Sequence, residues 1–231
     1  MPPSPLACDL RGISRRFGSR WALRNVSFSV EPGEVVGVLG HNGSGKSTLL
    51  RVVSTALRPT LGDGSVFGYD LKKEPDSVRS VCGFLAHAPG NYDDLTAREN
   101  LRFAAAMAGL ETGAIDVILS RVGLTQVAGE RTRGFSAGMQ RRLALGRLLL
   151  CQPRLLLLDE PFNNFDAAGV SLLNEVIEET RRRGGAALVV VHDRRQVEQI
   201  MDREIVLSRG ATVSPLRGVD VPAGVPAART A

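Results

Sequence analysis

Residues 40–47 read GHNGSGKS and match the pattern G-x-x-x-x-G-K-S/T, which constrains the fold of this chain more than any other segment. The octapeptide follows an apolar, strand-like run at 34–39 and precedes a helical pattern at 47–55, which is the context that the motif requires. In that context the glycines let backbone N–H groups converge on phosphate oxygens, and the helix N-terminus adds positive dipole. The sequence therefore predicts a nucleoside triphosphate site in an α/β fold.

The motif assigns a role to each polar side chain in the loop. Lys46 is expected to neutralise the β- and γ-phosphates, and the Ser47 hydroxyl is expected to bind Mg²⁺. The predicted phosphate-binding residues are Gly40, His41, Asn42, Gly43, Ser44, Gly45, Lys46, Ser47 and Thr48.

Length, composition and charge exclude several other classes of protein. The 231 residues are 43% hydrophobic and 23% charged, as in a globular domain that folds without disulfides. The longest apolar run, 184–191, is under half of the ~18 residues that suggest a membrane span, and the start of the chain lacks the pattern of a secretory signal. Three widely spaced cysteines indicate a reducing cytoplasm.

Arginine supplies most of the positive charge, and clusters of arginine can indicate a protein that binds nucleic acid. The net charge is +5, with arginine clusters at 181–183 and 194–195. No aromatic-interleaved basic stripe accompanies these clusters, and both fall where helix ends would expose solvated arginines. The sequence favours a protein that does not bind nucleic acid.

Strand-like and helical segments alternate along most of the chain, which predicts a sheet with crossover helices. Strands are expected at 9–13, 25–30, 34–39, 155–158, 187–191 and 204–207, and a helix at 168–182. Between about 93 and 150 the pattern is helical, beginning with a capping box formed by Thr96 and Glu99 ahead of a helix at 100–108. The chain therefore divides into a domain at 1–210, with a helical insert at about 90–150, and a mobile tail at 211–231 that is rich in Pro, Gly and Ala.

Two carboxylates follow the most apolar strand of the chain. Leucines fill positions 155–158, and Asp159 and Glu160 come directly after them, at the strand end where α/β sheets hold ligands. Such an acid pair can simply begin a turn. In a chain with a phosphate-binding loop, Asp159 is instead the expected Mg²⁺ carboxylate, and Glu160 is free to polarise the water that attacks the γ-phosphate.

Residues 135–142, FSAGMQRR, resemble the LSGGQ signature of the ABC ATPases, and further motifs agree with that family. Residues 163–166, NNFD, are similar to its D-loop, and His192 after the strand at 187–191 is similar to its switch histidine. The resemblance covers about residues 9–210. It implies a P-loop NTPase fold of ABC type, with a mainly parallel sheet core, antiparallel N-terminal strands and a helical subdomain.

The resemblance also implies ATP as the nucleotide and a head-to-tail dimer, most simply a homodimer, with two ATP molecules between the subunits. Ser136 and Gly138, at the start of a helix expected from Met139, would then contact the γ-phosphate held by the other subunit, and Asp166 of the D-loop-like stretch is a further expected nucleotide-binding residue. Family members of the transport type energise separate membrane permease subunits. That implies a peripheral position at the cytoplasmic face of the membrane, with the permease docked on the helical insert at 86–96.

Two positions depart from the family pattern. His87 stands where these ATPases usually carry Gln, and because Mg²⁺ prefers oxygen, we expect His87 to bond the attacking water or its own loop rather than the metal. Phe17 stands where a Tyr usually stacks on adenine. A Phe ring suffices for stacking, although Phe17 could belong to the core instead. The expected catalytic residues are thus Glu160, His192 and His87, and Phe17 is expected to stack on the adenine.

A finer resemblance points to the haem exporter ATPases of cytochrome c maturation. It rests on the HAPG stretch at 87–90, on DLTARENL at 94–101 and on the signature octapeptide. Multidrug and other exporter ATPases share part of this pattern, so they remain an alternative, and a soluble ABC ATPase acting on ribosomes or DNA is a more distant one. The soluble type is marked by tandem cassettes or a long coiled coil, and this chain has one cassette and no sustained heptads.

Overall fold

A computed structural model describes residues 5–213 of the chain. Within these residues the strands are β1 (Cys8–Phe17), β2 (Arg20–Val30), β3 (Val35–Leu39), β4 (Leu61–Val66), β5 (Tyr69–Asp70), β6 (Cys82–Leu85), β7 (Leu155–Asp159), β8 (Ala186–Val190), β9 (Arg203–Ser208) and β10 (Ala211–Thr212). The helices are α1 (Lys46–Val53), α2 (Pro75–Val81), α3 (Ala97–Ala108), α4 (Ile115–Arg121), α5 (Ala137–Cys151) and α6 (Ala167–Arg182).

The described strands form two sheets. One is antiparallel in the order β2-β1-β4-β5, and the other has the order β10-β9-β3-β8-β7-β6, in which only the β10-β9 pair is antiparallel. The α/β fold expected from the sequence, with its mainly parallel core and antiparallel N-terminal strands, is confirmed.

Strand β7 is buried on both faces, which explains its run of leucines. Leu155 and Leu157 face the core shared with the antiparallel sheet and α1, whereas Leu156 and Leu158 face the core shared with α5 and α6. All four leucines have no exposed surface. The carboxyl end of β7, formed by Asp159 and followed by Glu160, therefore lies inside the parallel sheet, between β8 and β6.

The predicted helical insert contains no β-strand and packs α3, α4 and α5 together. The capping box is present: the Glu99 N–H donates to Thr96 Oγ1 over 3.1 Å, and the Thr96 N–H donates to Glu99 Oε2 over 2.8 Å. Because Thr96 is the N-cap, α3 begins at Ala97 rather than at the expected residue 100.

Several expected boundaries need correction. The N-terminal strands are longer than predicted, because β1 and β2 pair in antiparallel orientation along most of their length, with register shifts at three points. The sequence pattern does not predict β4, β5 or α2. The glycines and the aspartate of LGDGSV are uncommon in strands, yet this segment is β4 and pairs with β1. Strand β10 takes in the first two residues of the predicted mobile tail; residues 214–231 of that tail lie outside the described residues.

Within residues 5–213, every helix is too short or too polar to cross a bilayer.

Candidate functional site: a phosphate-binding cleft facing two histidines

The loop between β3 and α1 is closed over its own lysine. Lys46 is the first residue of α1 and is only 6% exposed. Its ammonium group donates to the carbonyl of Gly40 over 2.6 Å and to that of His41 over 3.2 Å. Burial lowers the pKa of Lys46, and the charges of Glu160 and Asp159 oppose that shift. Lys46 is thus held inside the loop, near Glu160 and near Asp159, the last residue of β7.

Two glycines of this loop are required by both conformation and space. Gly40 and Gly45 have φ of 148° and 108°, values that L side chains rarely adopt. A Cβ on Gly40 would lie 2.2 Å from the Leu207 carbonyl oxygen, and one on Gly45 would lie 2.6 Å from that of Ala22. The loop backbone is therefore packed between β2 and β9, with the first N–H groups of α1 left without helical partners.

Ser44, in the same loop, carries a buried hydroxyl that bonds no group in residues 5–213. The residue is 1% exposed, and such a group usually has a partner. An unbonded hydroxyl, a buried ammonium group and free helix N–H groups together fit a phosphate chain.

A cleft of about 690 Å³ opens beside the loop. Phe17 lies at its wall with 46% of its surface exposed, and the Arg15 guanidinium stacks at 4.7 Å from the ring centroid. This placement removes the alternative that Phe17 belongs to the core. The lining residues that the sequence predicted are Phe17, His41, Asn42, Gly43, Gly45, Lys46, Ser47, Thr48 and Glu160.

Part of the cleft wall is not predicted from the sequence, namely Arg20, Trp21, Ala22, Arg24, Arg209 and Gly210. A signal existed in Trp21, the one tryptophan of the chain, which pairs with Arg16 across β1 and β2. Arg209 comes from the other end of the sequence, and nothing in its local pattern places it there.

The neighbouring carboxyl ends of β6, β7 and β8 bring the three predicted catalytic residues together. Asp159 is 3% exposed, and Glu160 follows it with a left-handed φ of 49°. The Glu160 carboxylate accepts a hydrogen bond from the Asn163 amide over 2.9 Å and is bonded to His192 Nε2. His87 Nδ1 lies 3.4 Å from the same carboxylate. Both predicted histidines therefore flank Glu160.

The predicted signature residues do not line the cleft of their own chain. Ser136 caps α5, accepting the Met139 N–H over 3.2 Å, so the helix begins at Ala137 and not at the expected Met139. A Cβ on Gly138 would lie 3.2 Å from the Asn164 carbonyl oxygen, which packs the start of α5 against the loop after Glu160.

Asp166 also lies outside the cleft lining and caps α6. Its carboxylate accepts the Gly169 N–H over 2.9 Å and pairs with Arg142 of α5 at 2.6 Å. Hydrogen bonds from Gly169 and then from Arg142 lower the pKa of Asp166. Ser136, Gly138 and Asp166 thus form a second group of predicted residues, of which Ser136 and Asp166 are exposed and Gly138 is half-buried.

The phosphate-binding loop, the buried acid that ends β7 and the capped signature helix define an ATP-binding cassette, and the chain belongs to the ABC transporter family, whose model matches residues 23–163. It is the ATP-binding subunit of an ABC transporter and an ATPase. ATP-binding subunits of such transporters dimerise and pair with membrane permease subunits.

Individual relatives cover nearly the whole described chain. The cytochrome c biogenesis ATP-binding export protein CcmA 2 of Cupriavidus metallidurans is 39% identical over 193 residues, which span 82% of this chain and 91% of the relative. The ABC transporter ATP-binding protein NatA of Bacillus subtilis is 34% identical over 213 residues, with coverage of 88% and 87%. A solved dimeric ATP-binding cassette in a post-hydrolysis state, bound to ADP and Pi, superimposes with a TM-score of 0.79 at 26% identity, covering 92% of this chain and 100% of that one.

Proposed function

We propose that this chain energises a haem exporter of the cytochrome c maturation type through a separate membrane subunit. The observation that carries the proposal is the 39% identity to a relative named as a cytochrome c biogenesis exporter, over 91% of that relative. The HAPG stretch at 87–90 supports it. The similarity to NatA favours the alternative, an exporter of another compound.

The haem proposal is tested by the response of the reconstituted transporter. The chain is co-purified with its membrane subunit, both are placed in lipid vesicles, and ATPase activity is measured with haem and with a panel of unrelated exporter substrates. Stimulation by haem supports the proposal. Stimulation by another compound, with none by haem, would establish the alternative.

In the proposed reaction, different residues bind the phosphates, the adenine and the Mg²⁺. Lys46 and the loop N–H groups bind the phosphates, and Phe17 stacks on the adenine. The Ser47 hydroxyl and the Asp159 carboxylate are hard oxygen ligands of the kind that Mg²⁺ prefers, and both lie at this site. The metal, when bound, neutralises charge on the phosphates.

Glu160 is the proposed general base. Its carboxylate is already bonded to His192, which is proposed to hold its orientation, and a proton taken from water would remain on Glu160 Oε atoms beside the two imidazoles.

A head-to-tail dimer accounts for the two separated groups of predicted residues. Ser136, Gly138 and Asp166 lie outside the cleft lining, and the exposed Ser136 and Asp166 with the half-buried Gly138 are where a second subunit could bring its own ATP. We propose that the cleft of one subunit is completed by these residues of another copy of the chain, and that the permease contacts residues 86–96 at the cytoplasmic face of the membrane.

Mixing two inactive variants tests this dimer. Ser136→Arg damages the half-site offered to the partner, and Lys46→Ala damages the subunit's own half-site. Each variant alone should lack ATPase activity, whereas the mixture should regain turnover because one composite site is intact. Ser120→Arg, on the exposed face of α4, is the matched control and should keep full activity. Normal hydrolysis by either variant as a monomer would contradict the dimer.

The imidazole of His87 is 3.4 Å from the Glu160 carboxylate, so substitutions of His87 should affect ATP hydrolysis. His87→Gln keeps a hydrogen-bonding group and should retain at least partial ATPase activity. His87→Ala removes it and should lose stimulation by the membrane subunit more than basal turnover. Reconstituted ATPase assays with and without that subunit measure both rates, and equal stimulation of the wild type and His87→Ala would make the residue structural.

A further inference from the structure

Arg141, in the second turn of α5, is the largest fully buried side chain in residues 5–213. It is 2% exposed, and burial lowers the pKa of its guanidinium, opposed by the charges of Asp159 and Glu160. A buried charge is costly unless its surroundings compensate it. The position of Arg141 therefore calls for an explanation beyond packing.

The guanidinium joins two segments of the site through backbone carbonyls. One terminal nitrogen donates to the carbonyls of Ala86 and, over 3.1 Å, His87. The other donates to those of Asp159 over 3.1 Å and Glu160 over 2.9 Å. The planar fork of arginine suits such a bridge, because its donors are fixed in direction.

The bridge acts at a strained point of the backbone. Glu160 has a φ of 49°, a conformation that persists in a non-glycine residue only where the surroundings impose it. Its N–H donates to the Val190 carbonyl over 3.0 Å, and its carbonyl accepts from Arg141. These two bonds hold the turn that aims the Glu160 carboxylate at His192 and His87.

We propose that Arg141 is a positioning residue for hydrolysis: it fixes the backbone turn of Glu160 and couples that turn to the loop that carries His87. The inference rests on the proposed role of Glu160. It assigns a function to a buried residue that lies outside the lining of the phosphate-binding cleft, and it makes α5 the link between the loop at 86–90 and the general base.

Arg147 of α5 provides a matched control. Burial lowers the pKa of its guanidinium too, and it donates to the carbonyls of Pro89 and Gly90 in the same loop. Among the described residues, its side-chain hydrogen bonds reach only this loop and none reaches the end of β7. Loss of Arg147 thus removes a half-buried anchor of the loop and leaves the bridge to Glu160 in place.

The test compares Arg141→Met, Arg141→Lys and Arg147→Met in steady-state ATPase assays of the full chain, with thermal melting as the check on folding. Arg141→Met should lower kcat at least about tenfold and leave the KM for ATP within about twofold, because the phosphate-binding loop is untouched. Arg141→Lys should recover part of kcat, since it restores charge and some donors. Arg147→Met should melt earlier and keep its kcat. A loss of kcat in Arg147→Met equal to that in Arg141→Met would overturn the inference.

A double-mutant cycle separates positioning from general damage. If Arg141 acts through Glu160, then adding Arg141→Met to Glu160→Gln should change the single-turnover rate by less than about twofold. Full additivity of the two losses would overturn the inference alone. A fully active Glu160→Gln enzyme would overturn the proposed role of Glu160 and, with it, the role of Arg141.

Discussion

Glu160→Gln should bind ATP and lower its rate of hydrolysis about 10²–10⁴-fold, the usual contribution of a positioned general base. The substitution keeps the size and shape of the side chain and its ability to form hydrogen bonds. It removes the negative charge that accepts a proton. The new amide oxygen can accept from the Asn163 amide, and the new amide NH2 can donate to His192 Nε2, so the turn after β7 should persist. Lys46 and its loop are unaltered, which preserves the affinity for ATP.

The measurement has two parts, ATP turnover and the oligomeric state. On a sizing column with ATP and Mg²⁺, Glu160→Gln should elute as a dimer, because binding closes the dimer and blocked hydrolysis prevents its reopening. Glu178→Gln is the control, since the one ion pair of Glu178 within residues 5–213 is with Arg182 on α6, and a solvent-exposed pair of this kind adds little to stability. Normal turnover by Glu160→Gln would exclude the general-base role.

The part of the site that the sequence predicts correctly is encoded locally. The octapeptide at 40–47 sets the conformation of its own loop through its glycines, and the acid pair follows a leucine strand whose burial on both faces is visible in its composition. The helix caps at Thr96, Ser136 and Asp166 are local as well, because each side chain bonds an N–H three residues further on.

The remainder depends on contacts between distant segments, which a single sequence does not reveal. Arg141 meets partners 54, 55, 18 and 19 residues away, and within the signature octapeptide it looks like an ordinary solvated arginine. Trp21 and Arg209 reach the cleft only because β2 and β10 meet beside the loop. Strand β4 was missed for a similar reason: its glycines lie opposite Leu10 and near Gly12 of β1, where a side chain would not fit.

Lys46→Ala should weaken ATP binding by about 2–4 kcal/mol, because a charged hydrogen-bond partner of the phosphates is lost from a largely buried position. This corresponds to a rise in Kd of about 30- to 1000-fold, at tenfold per ~1.4 kcal/mol. Calorimetric titration with ATP measures the change directly. The loop should remain folded, because the packing of Gly40 and Gly45 against Leu207 and Ala22 persists when the Lys46 bonds to the Gly40 and His41 carbonyls are lost.

The chain offers a close control for this substitution, because its only other lysines are Lys72 and Lys73. Lys73 is exposed and lies outside the cleft lining, so Lys73→Ala removes the same charge without touching the loop. It should leave the Kd for ATP unchanged, which separates the contact at the phosphates from the general attraction of a positive protein for an anion. If Lys46→Ala bound ATP as tightly as the wild type, residues 40–48 would not be the phosphate site, and the proposed roles of Ser47 and Asp159 toward Mg²⁺ would fall with it, because both depend on phosphates held at that loop.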